Sequence, residues 1–332
     1  MRLETQVLLF TLLIGTGQTL SKPASGARQS NSKLYYRDAP DASASCNCGY
    51  YIPESGLTFT HYVNLRPEAL SANDLARSLQ KQGWTISNRL QKSSPKYINY
   101  TTSNIQLSMA SQGLKKGYKA LQLYVSGGPS NRKNIPGAEL GTIIKTIRHG
   151  SFRFNVKTST IPGACHGMFF YKDDNHEIDV EILTSHIHDA TSSQDPGPPK
   201  AGLQLTVQPL TADQPSKYYK VVPFDKMFDP TSGFHEYRFD WTKSGVRYYV
   251  NGKTYSSAAY IPQTAGQILV NNWSNGDPYW SAGPPGKDAI LSIGSIDLYF
   301  NVTDPTLIRA WDTGCKKSKN KELCGAAKAT TT

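Results

Sequence analysis

The sequence predicts an all-β fold, a sandwich or barrel built from short antiparallel strands. Three observations predict it. Many short runs alternate apolar and polar residues, among them LTFTHYVNL, NIQLSMA, ALQLYVS, SFRFNVKTS, GMFFYK, EIDVEIL, LQLTVQ, HEYRFDW, VRYYVNG, QILVNNW and SIGSIDLYF. Gly, Pro, Asn and Asp punctuate them, the pattern of strands joined by turns. Inside RYYVNGKTY, the pair Asn251-Gly252 signals a type I′ hairpin, whose central residues need positive φ.

The elements follow in chain order. Residues 1–21 read as a secretory signal: Arg2, the apolar run Val7 to Ile14, then small residues at Gly15, Gly17 and Ser21. That run is too short to span a bilayer and no later segment is long enough, so no membrane span is expected. Residues 22–45 are polar and rich in Ser, Pro and Ala, and read as a flexible leader. Strand-forming composition begins at Cys46 and continues to residue 312, which sets one β domain. Helical spacing of apolar residues predicts one helix over Arg66 to Gly83, closed by Gly83. Two long loops, His186 to Gly202 and Ser274 to Asp288, follow strands and can border a cleft. Residues 313–332 read as a basic tail carrying Lys316, Lys317, Lys319 and Lys321, without the apolar stretch of a lipid-anchor signal.

Composition narrows the function classes. The net charge of +11 is dispersed and accompanies no recognition motif, which argues against nucleic acid as a partner. There are five cysteines. In an oxidising compartment they form disulfides: Cys315 with Cys324 closes a short tail loop, Cys46 or Cys48 reaches Cys165, and one thiol is left over. Cys46-x-Cys48 has no matching His pair, and the alternating His186 and His188 read as solvated, so neither metal nor cofactor is expected. Sequons at Asn99, Asn272 and Asn301 are candidate glycan sites, with Asn272 disfavoured beside the expected cleft. His176 and His235 read as structural.

The most informative stretch is Asn175 to Leu183, NHEIDVEIL. On a strand, alternate residues share a face, so Glu177, Asp179 and Glu181 lie together while Ile178, Val180 and Ile182 enter the core. Three unrelieved like charges are costly to hold together. Glycoside hydrolysis supplies a use for two carboxyls flanking a glycosidic bond. Four strand steps of roughly 3.4 Å separate the outer glutamates by about 13 Å, and inward-leaning side chains leave roughly 5–6 Å between carboxyls, near the retaining spacing. Asp179 between them forces at least one pKa upward, as a general acid requires.

The hexamer HEIDVE resembles the Glu-x-Asp-x-Glu signature of glycoside hydrolase family 16. The resemblance extends through GSFRFNVKTSTIPGACHGMFFYKDDNHEIDVEIL, FHEYRFDWTKSGVRYYVNGK and ILVNNWSNGDPYW, and CNCGYY is similar to secreted fungal members. It implies a concanavalin A-like β-jelly-roll sandwich of two antiparallel sheets with a concave carbohydrate-binding cleft. It also implies Glu177 as nucleophile, Glu181 as general acid/base, and Asp179 as the residue that tunes both. Trp273 and Asn271 match the family's Asn-x-Trp of the sugar cleft. Tyr171 and Phe169 match the strand before the acids, one lining the cleft and the other the core. Gln204 and Gln208 fall where the family places polar sugar contacts, and Trp280 falls at an outer subsite. No Met interrupts the acidic motif, which points to the lichenase, xyloglucan-transferase and chitin–glucan cross-linking branches. Asn175-His176 stand where lichenases carry Trp-Asp, which departs from strict lichenase specificity. The expected protein is a secreted monomer acting on β-glucan, by hydrolysis or by transglycosylation; a non-catalytic lectin-like binder is the rival class.

Overall fold

The computed structural model describes residues 46–109, 119–187, 201–209, 219–319, 321 and 323–326. The signal and leader expected over residues 1–45, and His188, lie outside the described residues. Strands are numbered β1 to β20 along the chain. A nine-stranded sheet runs in the order β14 (Tyr219–Val222), β13 (Leu203–Val207), β12 (His176–Leu183), β11 (Cys165–Asp173), β18 (Gln267–Trp273), β9 (Asn134–Thr142), β6 (Tyr97–Tyr100), β5 (Arg89–Gln91), with β4 (Trp84–Ile86) also on β9. An eight-stranded sheet runs β17 (Lys253–Ala258), β16 (Gly245–Val250), β15 (His235–Thr242), β10 (Ile147–Lys157), β19 (Ala289–Val302), β8 (Lys119–Val125), β7 (Ile105–Met109), with β3 (His61–Leu65) also on β19. Pairing within both is antiparallel apart from β6 on β9. This is the two-sheet jelly-roll sandwich that the alternating runs predict.

The core lies between the sheets because every long strand offers one apolar face. β12 gives Ile178, Val180 and Ile182; β11 gives Met168 and Phe170; β10 and β15 answer with Phe152, Phe154, Phe239 and Trp241. Phe170 and Trp241 meet across the interface with ring centroids 4.4 Å apart. Burying each such side chain contributes about 1.5–3 kcal/mol. At Asn251-Gly252 both φ values are positive, 46° and 77°, and join β16 to β17 as the I′ signal requires.

The long helix expected over Arg66 to Gly83 is broken. Two 3₁₀ turns, Pro67–Ala69 and Ala72–Asp74, precede a shorter α1 (Leu75–Lys81). Leu70 and Ser71 between the turns are extended. Ser71, Asn73 and Asp74 are side chains that compete with helical backbone bonds, and the apolar spacing is met by burying Leu70 and Leu79 separately. Gly83 does close the segment, at φ 89°.

The cysteine pairing also differs from expectation. Cys46 joins Cys324, Cys48 joins Cys315, and Cys165 is free and buried. Local spacing misleads here because the partners lie on α2 (Pro305–Lys317) and β20 (Cys324–Gly325), which return to the N-terminal hairpin. β20 pairs in parallel with β1 (Tyr50–Ile52), and β2 (Leu57–Phe59) completes a three-stranded sheet. Described residues between 313 and 326, expected as tail, are therefore part of the fold, and Ala326 is buried with Tyr50, Ile52, Phe59, Tyr62 and Tyr299. Glu54, in the turn between β1 and β2, reaches Arg153 at 2.7 Å and Arg238 at 3.1 Å on the eight-stranded sheet. The small sheet thus covers the outer face of the eight-stranded one and leaves the far face of the nine-stranded sheet for a site.

Peptide mapping of the unreduced protein is expected to recover the linked pairs Cys46–Cys324 and Cys48–Cys315, with Cys165 alkylated only after unfolding. Replacing both Cys46 and Cys324 by Ser is expected to cost about 2–5 kcal/mol in denaturant unfolding.

Candidate active site

The site begins with the pleat of β12. Its pairing with β11 is unbroken from Tyr171 opposite Glu177, through Phe169 opposite Asp179 and Gly167 opposite Glu181, to Cys165 opposite Leu183. No bulge enters the acidic motif. Because Ile178, Val180 and Ile182 are in the core, the three acids project together from the other face of the sheet. The same parity places Tyr171 and Phe169 both on the acid-bearing face, with rings in edge contact at 6.3 Å. The expectation that one of these aromatics enters the core is therefore corrected: residues two apart on a strand share a side, and the core takes Met168 and Phe170 instead.

The acids sit in unequal surroundings. Asp179 is buried and hydrogen-bonds Glu177. Oε1 of Glu181 accepts from the Cys165 thiol at 3.1 Å and from the Trp280 indole N–H at 3.5 Å. Burial, followed by the charge on Glu181, pushes Glu177 up to about 8, with the Asp179 hydrogen bond pulling back. Asp179 is pushed well above the ordinary carboxylate range by burial and by both glutamates. Burial also raises Glu181, but its thiol and indole donors oppose the rise. The three groups thus titrate as one unit. Near neutral pH they share fewer than three charges, with a proton on Asp179 donated toward Glu177.

Neighbouring strands furnish the flanks. On β13, Gln204 pairs opposite Glu181 and Thr206 opposite Asp179. The Gln204 side chain is wholly buried, donating to Gly202 O at 3.0 Å and accepting from the Tyr219 hydroxyl at 2.5 Å. Gln204 thus braces Tyr219, which faces Glu181 electrostatically. Gln208 stands just past β13, its backbone N–H donating to Glu177 O at 3.0 Å. The Tyr171 hydroxyl donates to Asp174 at 2.9 Å.

On the other side, β18 presents Asn271 opposite Gly167 and Trp273 opposite Cys165. Trp273 is half-buried and Asn271 buried. The Asn271 amide nitrogen donates to Glu139 at 3.4 Å and to the Tyr100 hydroxyl at 3.3 Å. Its Oδ1 has no hydrogen-bond partner. That oxygen lies 2.5 Å from where a Cβ on Gly167 would stand, so glycine there lets the Asn271 amide lie close against β11. Farther out, Arg89 pairs with Glu139 at 3.0 Å and lies 5.0 Å over the Tyr100 ring. Cys165, Tyr219, Glu139, Arg89 and Tyr100 were missed from the sequence. Cross-strand register brings Cys165 and Tyr219 to Glu181 and gathers Glu139, Tyr100 and Arg89 beside Asn271, and no local pattern announces it.

Trp280 is held by a tightly bonded loop. Asn275 donates to Ser93 Oγ at 3.1 Å and Ser94 O at 2.9 Å, and accepts from Ser281 at 2.8 Å. Asp277 accepts from Tyr279 N, and its carbonyl accepts from Trp280 N. Asn272 faces away from the acids. Its amide nitrogen donates to Leu123 O at 2.7 Å and Ala289 O at 2.9 Å, and its Oδ1 meets His166, so this sequon nitrogen is committed to the core. His176 pairs with Asp173 at 2.8 Å, and His235 stacks on Phe228, both in structural settings. No cluster suited to a metal occurs among the described residues.

A row of carboxyls, one proton-sharing pair among them, thus lies between an indole and an amide on the free face of a two-sheet sandwich. The chain belongs to the glycosyl hydrolases family 16, whose family model matches residues 91–288. It is similar to a beta-glucanase of Bacillus subtilis (strain 168), 37% identical over 137 residues, 40% of this chain and 49% of that one. Crh-like protein 2 of Botryotinia fuckeliana is 24% identical over 226 residues, covering 62% of this chain and 45% of its own. A xylanase/beta-glucanase of Ruminococcus flavefaciens is 29% identical over 165 residues, 46% of this chain and 18% of that protein. The chain therefore spans half or less of the length of these curated relatives. Among solved structures, a prokaryotic beta-1,3-1,4-glucanase (lichenase) from a mouse hindgut metagenome superposes with a TM-score of 0.51 at 22% identity, covering 72% of this chain and 98% of that one, which bears on the fold.

The raised Glu177 pKa has a measurable consequence for stability. A carboxyl raised on folding favours the folded state below its ordinary pKa of 4.5, and that contribution is lost as pH climbs through about 8. Glu177→Gln is expected to match the wild-type thermal midpoint at acid pH. Well above the raised pKa it is expected to exceed it by about 5 °C, read by calorimetry across pH.

Proposed function

We propose that the protein is a secreted, retaining endo-β-glucanase that cleaves β-1,3-1,4- or β-1,3-linked cell-wall glucan by double displacement. The observation that carries the reading is the unequal treatment of two glutamates on one face: Glu177 is bonded to a proton-holding aspartate, Glu181 to two neutral donors. In the first half, Glu181 gives its proton to the glycosidic oxygen as the Glu177 carboxylate attacks the anomeric carbon; the C–O bond to the leaving sugar breaks and a glycosyl ester forms. In the second half, water loses a proton to Glu181 and its oxygen displaces Glu177. Asp179 stays protonated and supports the Glu177 charge.

The reactive triad carries one negative charge. In the empty site the second proton favours Glu177, since the donors on Glu181 stabilise its carboxylate. Reaction therefore starts from the tautomer with that proton on Glu181. Trp273 would pack a sugar face, and the unpartnered Asn271 Oδ1 would accept a sugar hydroxyl. Secretion is supported by the apolar N-terminal run and by the two disulfides.

A second reading, transfer of the glycosyl group to a sugar hydroxyl in place of water, rests on the likeness to Crh-like protein 2 and on the unbulged acidic strand, which the lichenase and transferase branches of the family share. A panel of β-glucans with a reducing-end assay decides the substrate, and added oligosaccharide acceptor decides the outcome: longer products mean transfer. Glu181→Gln is expected to lower kcat/KM roughly 10²–10⁴-fold, and Glu177→Gln at least as much. Activity is expected to fall as pH rises through about 8, where the triad loses its second proton. Full retention of function by Glu177→Gln would instead identify a lectin-like binder.

A further inference from the structure

Cys165 is a buried thiol that the double displacement leaves without a task. The other four cysteines are consumed in disulfides; Cys165 is free and fully buried. It stands on β11 with Leu183 on one flanking strand and Trp273 on the other, on the acid-bearing face. Its sulfur is 3.1 Å from Glu181 Oε1. The indole of Trp280 approaches the same oxygen, at 3.5 Å, from a separate element, the bonded loop that follows β18. Two donors converge on one oxygen of the carboxyl, leaving the other for proton exchange.

We propose that Cys165 and Trp280 act as a two-donor clamp on Glu181, Cys165 as a positioning residue, which orients the carboxyl and keeps its ionised form within reach for the second half of the reaction. The inference rests on the acid/base role of Glu181 given above. An acid/base group must cycle: it gives a proton in the first step and must be a carboxylate to accept one from water in the next. Burial alone would strand Glu181 in its protonated form, and the clamp opposes this. The thiol suits the place because burial and the Glu181 charge push its own pKa well above the ordinary range, so it remains an S–H donor and does not compete as a nucleophile. The other titratable groups facing Glu181 are Glu177 and Asp179 on its own strand and Tyr219 on β14; all are acids, and none offers a positive charge to do the same work.

The test compares wild type with Cys165→Val, which removes the donor at similar volume, Cys165→Ser, which restores one, and Trp280→Phe, which keeps the ring and loses the N–H. Two readouts are taken: the pH profile of kcat/KM on the glucan that the wild type turns over, and ¹³C carboxyl NMR titration of Glu181 in Glu-labelled protein. Removing a donor to the ionised form raises the pKa. Cys165→Val and Trp280→Phe are each expected to raise it by about 0.5–1 pH unit. The alkaline limb should move upward with it, and kcat and KM should fall together about fivefold, because the slowed step is hydrolysis of the glycosyl ester and kcat/KM reports the first half alone. Cys165→Ser is expected to return most of the shift. Unchanged titration in Cys165→Val and Trp280→Phe overturns the proposal, as does a Cys165→Ser titration identical to that of Cys165→Val, which would mean packing alone. Trp280 lies at the surface end of the site, so Trp280→Phe keeps the test open if Cys165→Val does not fold. Should the wild type turn over no glucan, the functional reading fails, while the NMR titration still decides the clamp.

Discussion

Everything at the site depends on the two-residue repeat of β12. One side of that strand is anchored in the core by Ile178, Val180 and Ile182, so the other side has no freedom over where it points. A slip of one residue would bury three carboxyls among phenylalanines and expose three aliphatics. The core thereby acts as the fixture that holds like charges together against their repulsion. Uninterrupted pairing with β11 and β13 on both flanks makes the fixture rigid.

That constraint also explains the electrostatics. Carboxyls free to move would turn apart toward water. Held on one face and sheltered by Gln204, Phe169 and the Trp280 loop, they share protons instead. Asp179 is the extreme case: buried between two glutamates, it serves best as an acid that keeps its proton and lends a hydrogen bond. Small residues matter as much as charged ones. Gly167, level with Glu181 on β11, has no side chain to displace the Asn271 amide, whose Oδ1 finds no partner.

Features encoded at short range were legible in the sequence, and those encoded by long-range register were not. The period of two in NHEIDVEIL specified which residues share a face, and Asn251-Gly252 specified a turn, because strand alternation and turn dihedrals are local properties. The same rule in GMFFYK places Phe169 beside Tyr171, and strand parity excludes a split of the two between cleft and core. Cys165, Tyr219 and Glu139 come from three different strands, and their meeting with the acids or with Asn271 depends on strand order, which no window of sequence holds. The disulfides failed for a related reason: nearness along the chain favoured Cys315 with Cys324, while α2 and β20 carry those residues back to the start of the domain.

This pairing turns the chain into something close to a ring. Its two cross-links span sequence separations of 278 and 267 residues, so nearly every residue of both sheets lies inside the covalent loop they close. A single backbone cut within that loop opens it without freeing a fragment, and the severed halves stay at high effective concentration for each other. A protease would need two cuts to carry the acidic strand away from its sandwich.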